Sequence, residues 1–270
     1  RLAQFMPEDR QPNPPITSPF FAASIEDCLE EASPSAMRYS IAGSILAQVG
    51  DTADGLAAIK KFIFEDGTLT WSEFVKAIKA DYKGYERLRQ MLRNRAPKFG
   101  NGDDYVDRIA KDIAEYFCDG VHERAQNPPG PGNKRAAGLM CFGIHGKRNI
   151  GASPDGRRQG DLTANSFSPA VGMDKSGPTA VLNSTSKVDL TKASHGSVLD
   201  MALHSSTVAD SESFEKFVTL VDTFLTLRGT ATLQMNIINR DILERPREDP
   251  DNPEYRTLIV RVWGFSAVYP

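Results

Sequence analysis

Cysteine, histidine and tryptophan are scarce in this 270-residue chain, with three, four and two residues. Cys28, Cys118 and Cys141 are an odd, widely spaced set that fits neither a disulfide framework nor a zinc site, so a reducing cytoplasm is the expected compartment. No apolar run reaches the length of a bilayer span, and no charged start leads into a long apolar segment. Neither a membrane partner nor a signal peptide is therefore expected. An excess of one charge is missing too: 32 Lys and Arg against 35 Asp and Glu leave a formal −3. No stretch is basic enough for a nucleic-acid footprint, so nucleic acid is not an expected partner.

The familiar catalytic patterns are also absent. There is no Gly-x-Gly-x-x-Gly, Walker loop, Gly-x-Ser-x-Gly elbow or His-Glu-x-x-His. His122, His145, His195 and His204 stand too far apart for a local ligand cluster, so no bound metal or cofactor is expected.

What remains is ordinary globular material, 40% hydrophobic and 25% charged, enough for one large domain or two modest ones. Five prolines in residues 1–20 forbid regular structure there. Ser24 reads as the N-cap of a short helix through Glu31. Leu56, Ile59 and Ile63 share one face of a helix over 54–64, and Thr70-Trp71-Ser72-Glu73 is a capping box. The basic run Arg87 to Lys98 reads as a solvated helix face, with a phosphate-binding patch as the alternative. The clearest helix spans 103–124, with Val106, Ile109, Ile113, Phe117 and Val121 facing a core and Cys118 on its flank. Residues 143–196 read as loops and short strands, 213–227 as a helix with Phe214, Phe217, Val218, Val221, Phe224 and Leu225 as its apolar set, and 232–238 and 256–269 as strands. The chain opens on Arg1 and closes at Pro270 directly after an apolar run, which reads as a fragment.

Two segments need a reason. Gly151 to Gly160, continuing to Asp189, is turn after turn, which predicts ordered loops packed against something. Arg261-Val262-Trp263-Gly264-Phe265-Ser266-Ala267 places a glycine inside the most strand-like run, which predicts a bulge or a close approach to the backbone.

Both segments, in this order, resemble the C-terminal part of the glycyl radical enzymes, the pyruvate formate-lyase superfamily. Met37-Arg38-Tyr39, Leu56-Ala57-Ala58-Ile59-Lys60-Lys61, Gly84-Tyr85-Glu86, Ala96 to Asn101 with Asp103 to Asp107, and Ser153-Pro154-Asp155-Gly156-Arg157-Arg158 resemble further blocks of that family. The resemblance implies an α/β fold, the C-terminal half of a ten-stranded barrel with surrounding helices. Residues 1–135 would be the end of the pyruvate formate-lyase-like domain, and 143–270 a glycine radical domain truncated at its end.

The resemblance also implies that Gly264 carries the radical, with Arg261, Val262, Trp263, Phe265 and Ser266 as its neighbours in the loop. A planar Cα radical is easy only without a Cβ, which is the physical reason for glycine. An S-adenosylmethionine-dependent activating enzyme would install it, so that enzyme is an expected partner. The family's thiyl-forming cysteine lies upstream of this chain, and Cys28, Cys118 and Cys141 do not stand in its loop. The chain alone is therefore expected to be inactive.

Thr232-Leu233-Gln234-Met235-Asn236 stands where many members carry His-x-Gln-Phe-Asn. That difference, the apolar stretches around Cys141 and Leu203, and Trp263 beside Gly264 look more like the benzylsuccinate and alkylsuccinate synthase large subunits. These add a hydrocarbon to fumarate, with small accessory subunits in a homo- or hetero-oligomer. The alternatives are an arylacetate decarboxylase, a dehydratase, a formate acetyltransferase type, a non-catalytic glycyl-radical module or an inactive paralogue.

Overall fold

The computed structural model describes residues 41–125, 134–141, 150–227, 229–237, 258–262 and 265–269, with a few short stretches besides. Four parallel strands form one sheet in the order β1 (Ile41–Ile45), β2 (Lys134–Leu139), β3 (Gly196–Leu203), β4 (Thr232–Ile237). Ile41 lies opposite Lys134, Gly138 opposite Gly196, and Val198 opposite Thr232. Parallel neighbours need long crossovers, and helices are prominent in all three.

The first crossover holds α1 (Val49–Ile59), α2 (Trp71–Lys79), α3 (Glu86–Arg95) and α4 (Asp104–Ala125). Helix α1 runs on as a π-helical turn, Lys60–Glu65. Its expected apolar face is displaced in part: Ile59 and Ile63 pack against the core around Phe62 and Phe74, but Leu56 is 43% exposed, and Val49, Ala53, Asp54, Ala57 and Ala58 are buried. The same shift occurs on α4, where Val106, Ala110, Ala114 and Cys118 are fully buried and Ile109, Ile113, Phe117 and Val121 only partly. Alanines from both helices share this core, because small side chains let the two axes come close. Cys118 is thus a core residue rather than a flank. The capping box at Thr70 is present, its Oγ1 accepting from Glu73 N–H at 3.2 Å.

The second crossover contains α5 (Pro178–Thr185), a helix absent from the expectation of loops and short strands. It starts with proline at its first position, where the missing N–H costs nothing. The third holds α6 (Ser211–Thr226), capped by Asp210, whose Oδ1 accepts from Ser213 N–H at 2.8 Å. Leu220 is buried against β3, β4 and α5 with Phe217 and Phe224, but Phe214, Val218 and Leu225 are exposed, contrary to the expected core-facing set.

The expected single strand over 256–269 is two antiparallel strands, β5 (Leu258–Val262) and β6 (Phe265–Tyr269), with Val262 opposite Phe265. The helix expected over 24–31 and the proline-rich start fall almost wholly outside the described residues. Among the described residues no helix is long and apolar enough to cross a membrane.

Candidate functional site

Strands β2 and β3 pair only at Gly138–Gly196 and Leu139–Ser197. Beyond those two pairs, residues 163–168 bridge the two strands. Ser166 N–H donates to Cys141 O at 2.9 Å, Thr163 Oγ1 donates to Gly143 O at 2.9 Å, and Gly143 N–H donates to Asn165 Oδ1 at 2.8 Å. On the other side Phe167 N–H donates to Val198 O at 3.0 Å and Asp200 N–H to Ser168 Oγ at 2.9 Å. The bridge lies at and beyond the carboxyl end of β2, and the crevice there is where ligands bind in open parallel sheets. Ser166, fully buried, holds φ 48°, a left-handed conformation that is strained for a residue with a Cβ. Helix α1 packs beneath: a Cβ on Gly50 would lie 2.5 Å from Ser168 O.

Side chains alternate along a strand, so each strand has two faces. Leu199, Met201 and Leu203 of β3, with Leu233, Met235 and Ile237 of β4, pack into the core with α5 and α6. Val198, Asp200 and Ala202, with Thr232, Gln234 and Asn236, therefore lie on the opposite face. Asp200 stands directly across from Gln234, and Ala202 from Asn236. Both Asp200 carboxyl oxygens and Gln234 Nε2 are shielded from solvent and have no hydrogen-bond partner among the described residues. Burial alone pushes the Asp200 carboxyl up to about 6.

A buried charged cluster holds the 150–161 loop. Arg157, 2% exposed, donates through Nη1 to Arg158 O at 2.9 Å and Asp161 O at 3.1 Å, and through Nη2 to Ile150 O at 3.4 Å and to Gly151 O. Ser153 Oγ donates to Asp155 Oδ1 at 2.5 Å. Tyr82 donates its hydroxyl to Ser153 O at 2.7 Å, and Arg89 Nε donates to Gly156 O at 2.9 Å. Lys98 lies 4.0 Å from Asp54, whose Oδ1 accepts from Phe99 N–H at 2.7 Å. Burial raises the Asp54 carboxyl and lowers the Lys98 amine, both toward their neutral forms. The turn-rich segment is thus packed, as the sequence predicts. The basic run is not wholly a solvated face, because Arg89 and Lys98 turn inward to hold it.

The residues singled out by the signature are placed in part. Arg261 pairs with Ser266 and Val262 with Phe265 across β5 and β6. Gly264 and Trp263, between the paired ends, lie outside the described residues, as do Cys28 and His145. His195 N–H donates to Ala137 O at 2.8 Å, tying its backbone to β2, and His204 Nδ1 accepts from Ser206 N–H at 3.2 Å, capping a short turn. Among the described residues no group of three His, Cys, Asp or Glu could hold a metal. Sequence reasoning passed over Asp200. Its signal was a single acid inside the run Val198-Leu199-Asp200-Met201-Ala202-Leu203.

Two family models match the chain: pyruvate formate lyase-like over residues 15–145 and glycine radical over residues 163–270. The probable dehydratase YbiW of Escherichia coli K12 is 32% identical over 92% of this chain and 32% of its own length. Isethionate sulfite-lyase of Oleidesulfovibrio alaskensis is 36% identical over 82% of this chain and 26% of its own. The glycerol-bound B12-independent glycerol dehydratase of Clostridium butyricum superposes with a TM-score of 0.79 at 31% identity, covering 94% of this chain and 32% of that one. The chain thus spans about a third or less of the length of the relatives it matches.

Proposed function

Because this chain belongs to the glycyl radical enzymes of the pyruvate formate lyase superfamily, we propose that it forms the radical-bearing part of a glycyl radical lyase, with Gly264 as the radical site. The observation that carries this reading is the signature Arg261 to Ala267, which lies inside the segment matched by the glycine radical model. Residues 1–135 add the end of the pyruvate formate-lyase-like domain, and the parallel sheet is read as part of the ten-stranded barrel. The match over 15–145 argues against a stand-alone radical module.

In this reading an S-adenosylmethionine-dependent activating enzyme, in an anaerobic cytoplasm, takes one hydrogen atom from the Gly264 Cα. The glycyl radical then draws hydrogen from a cysteine thiol in the part of the enzyme upstream of this chain. The resulting thiyl takes a hydrogen atom from substrate carbon, the neighbouring leaving group departs, and the same hydrogen returns to the product. Oxidation at one carbon is matched by reduction at the next, so no external oxidant is consumed.

Relatives named as a dehydratase and a sulfite-lyase support the lyase and dehydratase alternative over the addition of a hydrocarbon to fumarate. The test is to treat the complete protein with its activating enzyme under anaerobic conditions. A doublet electron paramagnetic resonance signal is expected, along with backbone cleavage at Gly264 on exposure to air. Gly264→Ala should abolish both, and an unchanged signal in that variant would overturn the assignment.

A further inference from the structure

We propose that the outer face of α6 is a docking surface, covered in the complete protein by a helix of the same polypeptide from outside residues 1–270. The inference stands apart from the radical chemistry and does not need Gly264 to be the radical site.

Helix α6 carries two apolar stripes. Phe217, Leu220 and Phe224 pack on β3, β4 and α5. A second set, Phe214, Val218, Val221 and Leu225, recurs at spacings of 4, 3 and 4, the pattern of a helix–helix seam. At about 3.6 residues per turn this set lies roughly a quarter-turn round the helix from the first. Phe214 is 51% exposed, Val218 49% and Leu225 74%. A surface helix pairs one apolar face with a polar one, whereas a helix apolar on more than one side is an enclosed one. The apolar set that the sequence assigns to one core thus divides between the sheet and a second surface.

Area, charge and chain length identify what covers that surface. The exposed parts of Phe214, Val218 and Leu225 sum to on the order of 300 Å², against about 800 Å² per partner in a stable protein–protein interface. That is too little to hold a free partner. A segment of the same chain needs less, because its tether supplies a high effective concentration. Charge argues the same way: Lys216 is tied to Glu212 at 2.7 Å, whereas Glu215 and Asp222 make no ion pair among the described residues. Both acids border the stripe on the side away from the sheet. In an antiparallel seam between two copies Glu215 would meet the other copy's Asp222, and like charges oppose that pairing. A covering helix with Lys or Arg beside its apolar residues would offset both. The chain spans 32% of the length of two of the relatives it matches, which leaves ample polypeptide for such a helix.

The test uses the complete protein without activation. Leu225→Cys should react with a maleimide about tenfold or more slowly than Thr219→Cys on the exposed side of the same helix, as read by mass spectrometry of the α6 peptide. Equal rates would overturn the proposal. Benzoylphenylalanine in place of Val218 then identifies the neighbour, by irradiating a mixture of heavy-isotope and unlabelled protein. Links should join α6 to a peptide outside residues 1–270 within one copy. Links between heavy and light copies would make the face a dimer seam, and links confined to residues 1–270, or none, would leave it uncovered; each result overturns the proposal. Val218→Asp should speed amide exchange across α6 by about tenfold or more, against less than about twofold for Thr219→Asp, which places the same acid on the exposed side. Equal effects of the two substitutions would count against a covered face.

Discussion

Asp51 Oδ2 accepts a 2.6 Å hydrogen bond from Ala164 N–H, joining the first turn of α1 to the segment that bridges β2 and β3. The two residues are 113 positions apart, one in each of the segments matched by the two family models. Burial raises the Asp51 carboxyl to about 7, with the Ala164 bond opposing and the charge of Asp155 adding to it. The anchor beneath the candidate site therefore titrates near neutrality.

That titration has a definite sign. The folded value, about 7, exceeds the ordinary 3.8, so the folded state holds more protons between them and stability is lost as pH rises through that window. The slope is at most about 1.4 kcal/mol per pH unit for one group. Asp51→Asn keeps an acceptor for Ala164 and does not titrate. Urea unfolding of the complete protein should show the variant gaining on the parent by more than about 1 kcal/mol between pH 4.5 and 7.5. A difference that stays constant with pH would remove Asp51 as the cause. Asp54 and Asp200, also raised, keep some slope in both proteins.

Arg157 holds four carbonyl oxygens with one planar guanidinium. A lysine at this position carries its donors on one atom and cannot reach both sides of the loop. Arg157→Lys should cost about 3 kcal/mol or more, as buried carbonyls lose their donors. Limited proteolysis should then cut within 150–161 under conditions where the parent resists. Resistance in both proteins would show that the loop is held by other contacts.

How much of this could be read from sequence follows from what each signal measures. Capping chemistry at Thr70 is local, so the motif and the structure agree. Hydrophobic periodicity found α4 but misplaced its seam by one position, because it weights large side chains such as Ile109 and Phe117 whereas close helix packing selects Ala110 and Ala114. Helix α5 is only eight residues long in a stretch dense in turn formers, too short for a period to emerge. Asp200 and Gln234 meet only because two separate strands pair in this register, and no local pattern records that pairing.

Gly100 has φ +90°, and a Cβ there would stand 2.2 Å from Pro169 Cγ and 2.8 Å from its Cβ. The proline ring cannot swing aside, and the left-handed backbone adds its own penalty of about 1–2 kcal/mol for alanine. Gly67, at φ +59°, faces open space and isolates the backbone term. Gly100→Ala should therefore be destabilised by at least about 2 kcal/mol more than Gly67→Ala, since only the former also overpacks a tight contact. Equal effects in denaturant titrations would place the contact with Pro169 in doubt.

Cys118 gives the cleanest check on the displaced helix seam. It is 2% exposed among Ala110, Ala114 and Ala57, and burial, reinforced by the negative charge of Asp119, pushes its thiol up to about 11. The thiolate is the reactive form, so at pH 8 only about one thiol in a thousand would be available even if the reagent could reach it. Iodoacetamide, read by mass spectrometry of the α4 peptide, should leave Cys118 unmodified in the folded protein and modify it rapidly in urea. A helix-flank thiol would react at nearly the same rate in both. Cys118→Ala should cost only about 1 kcal/mol, because it removes one sulfur from a seam already lined with alanines. Cys118→Ser should cost more, because it places a hydroxyl among those methyl groups. Rapid labelling of the native protein would return the core face of α4 to Ile109, Ile113 and Phe117.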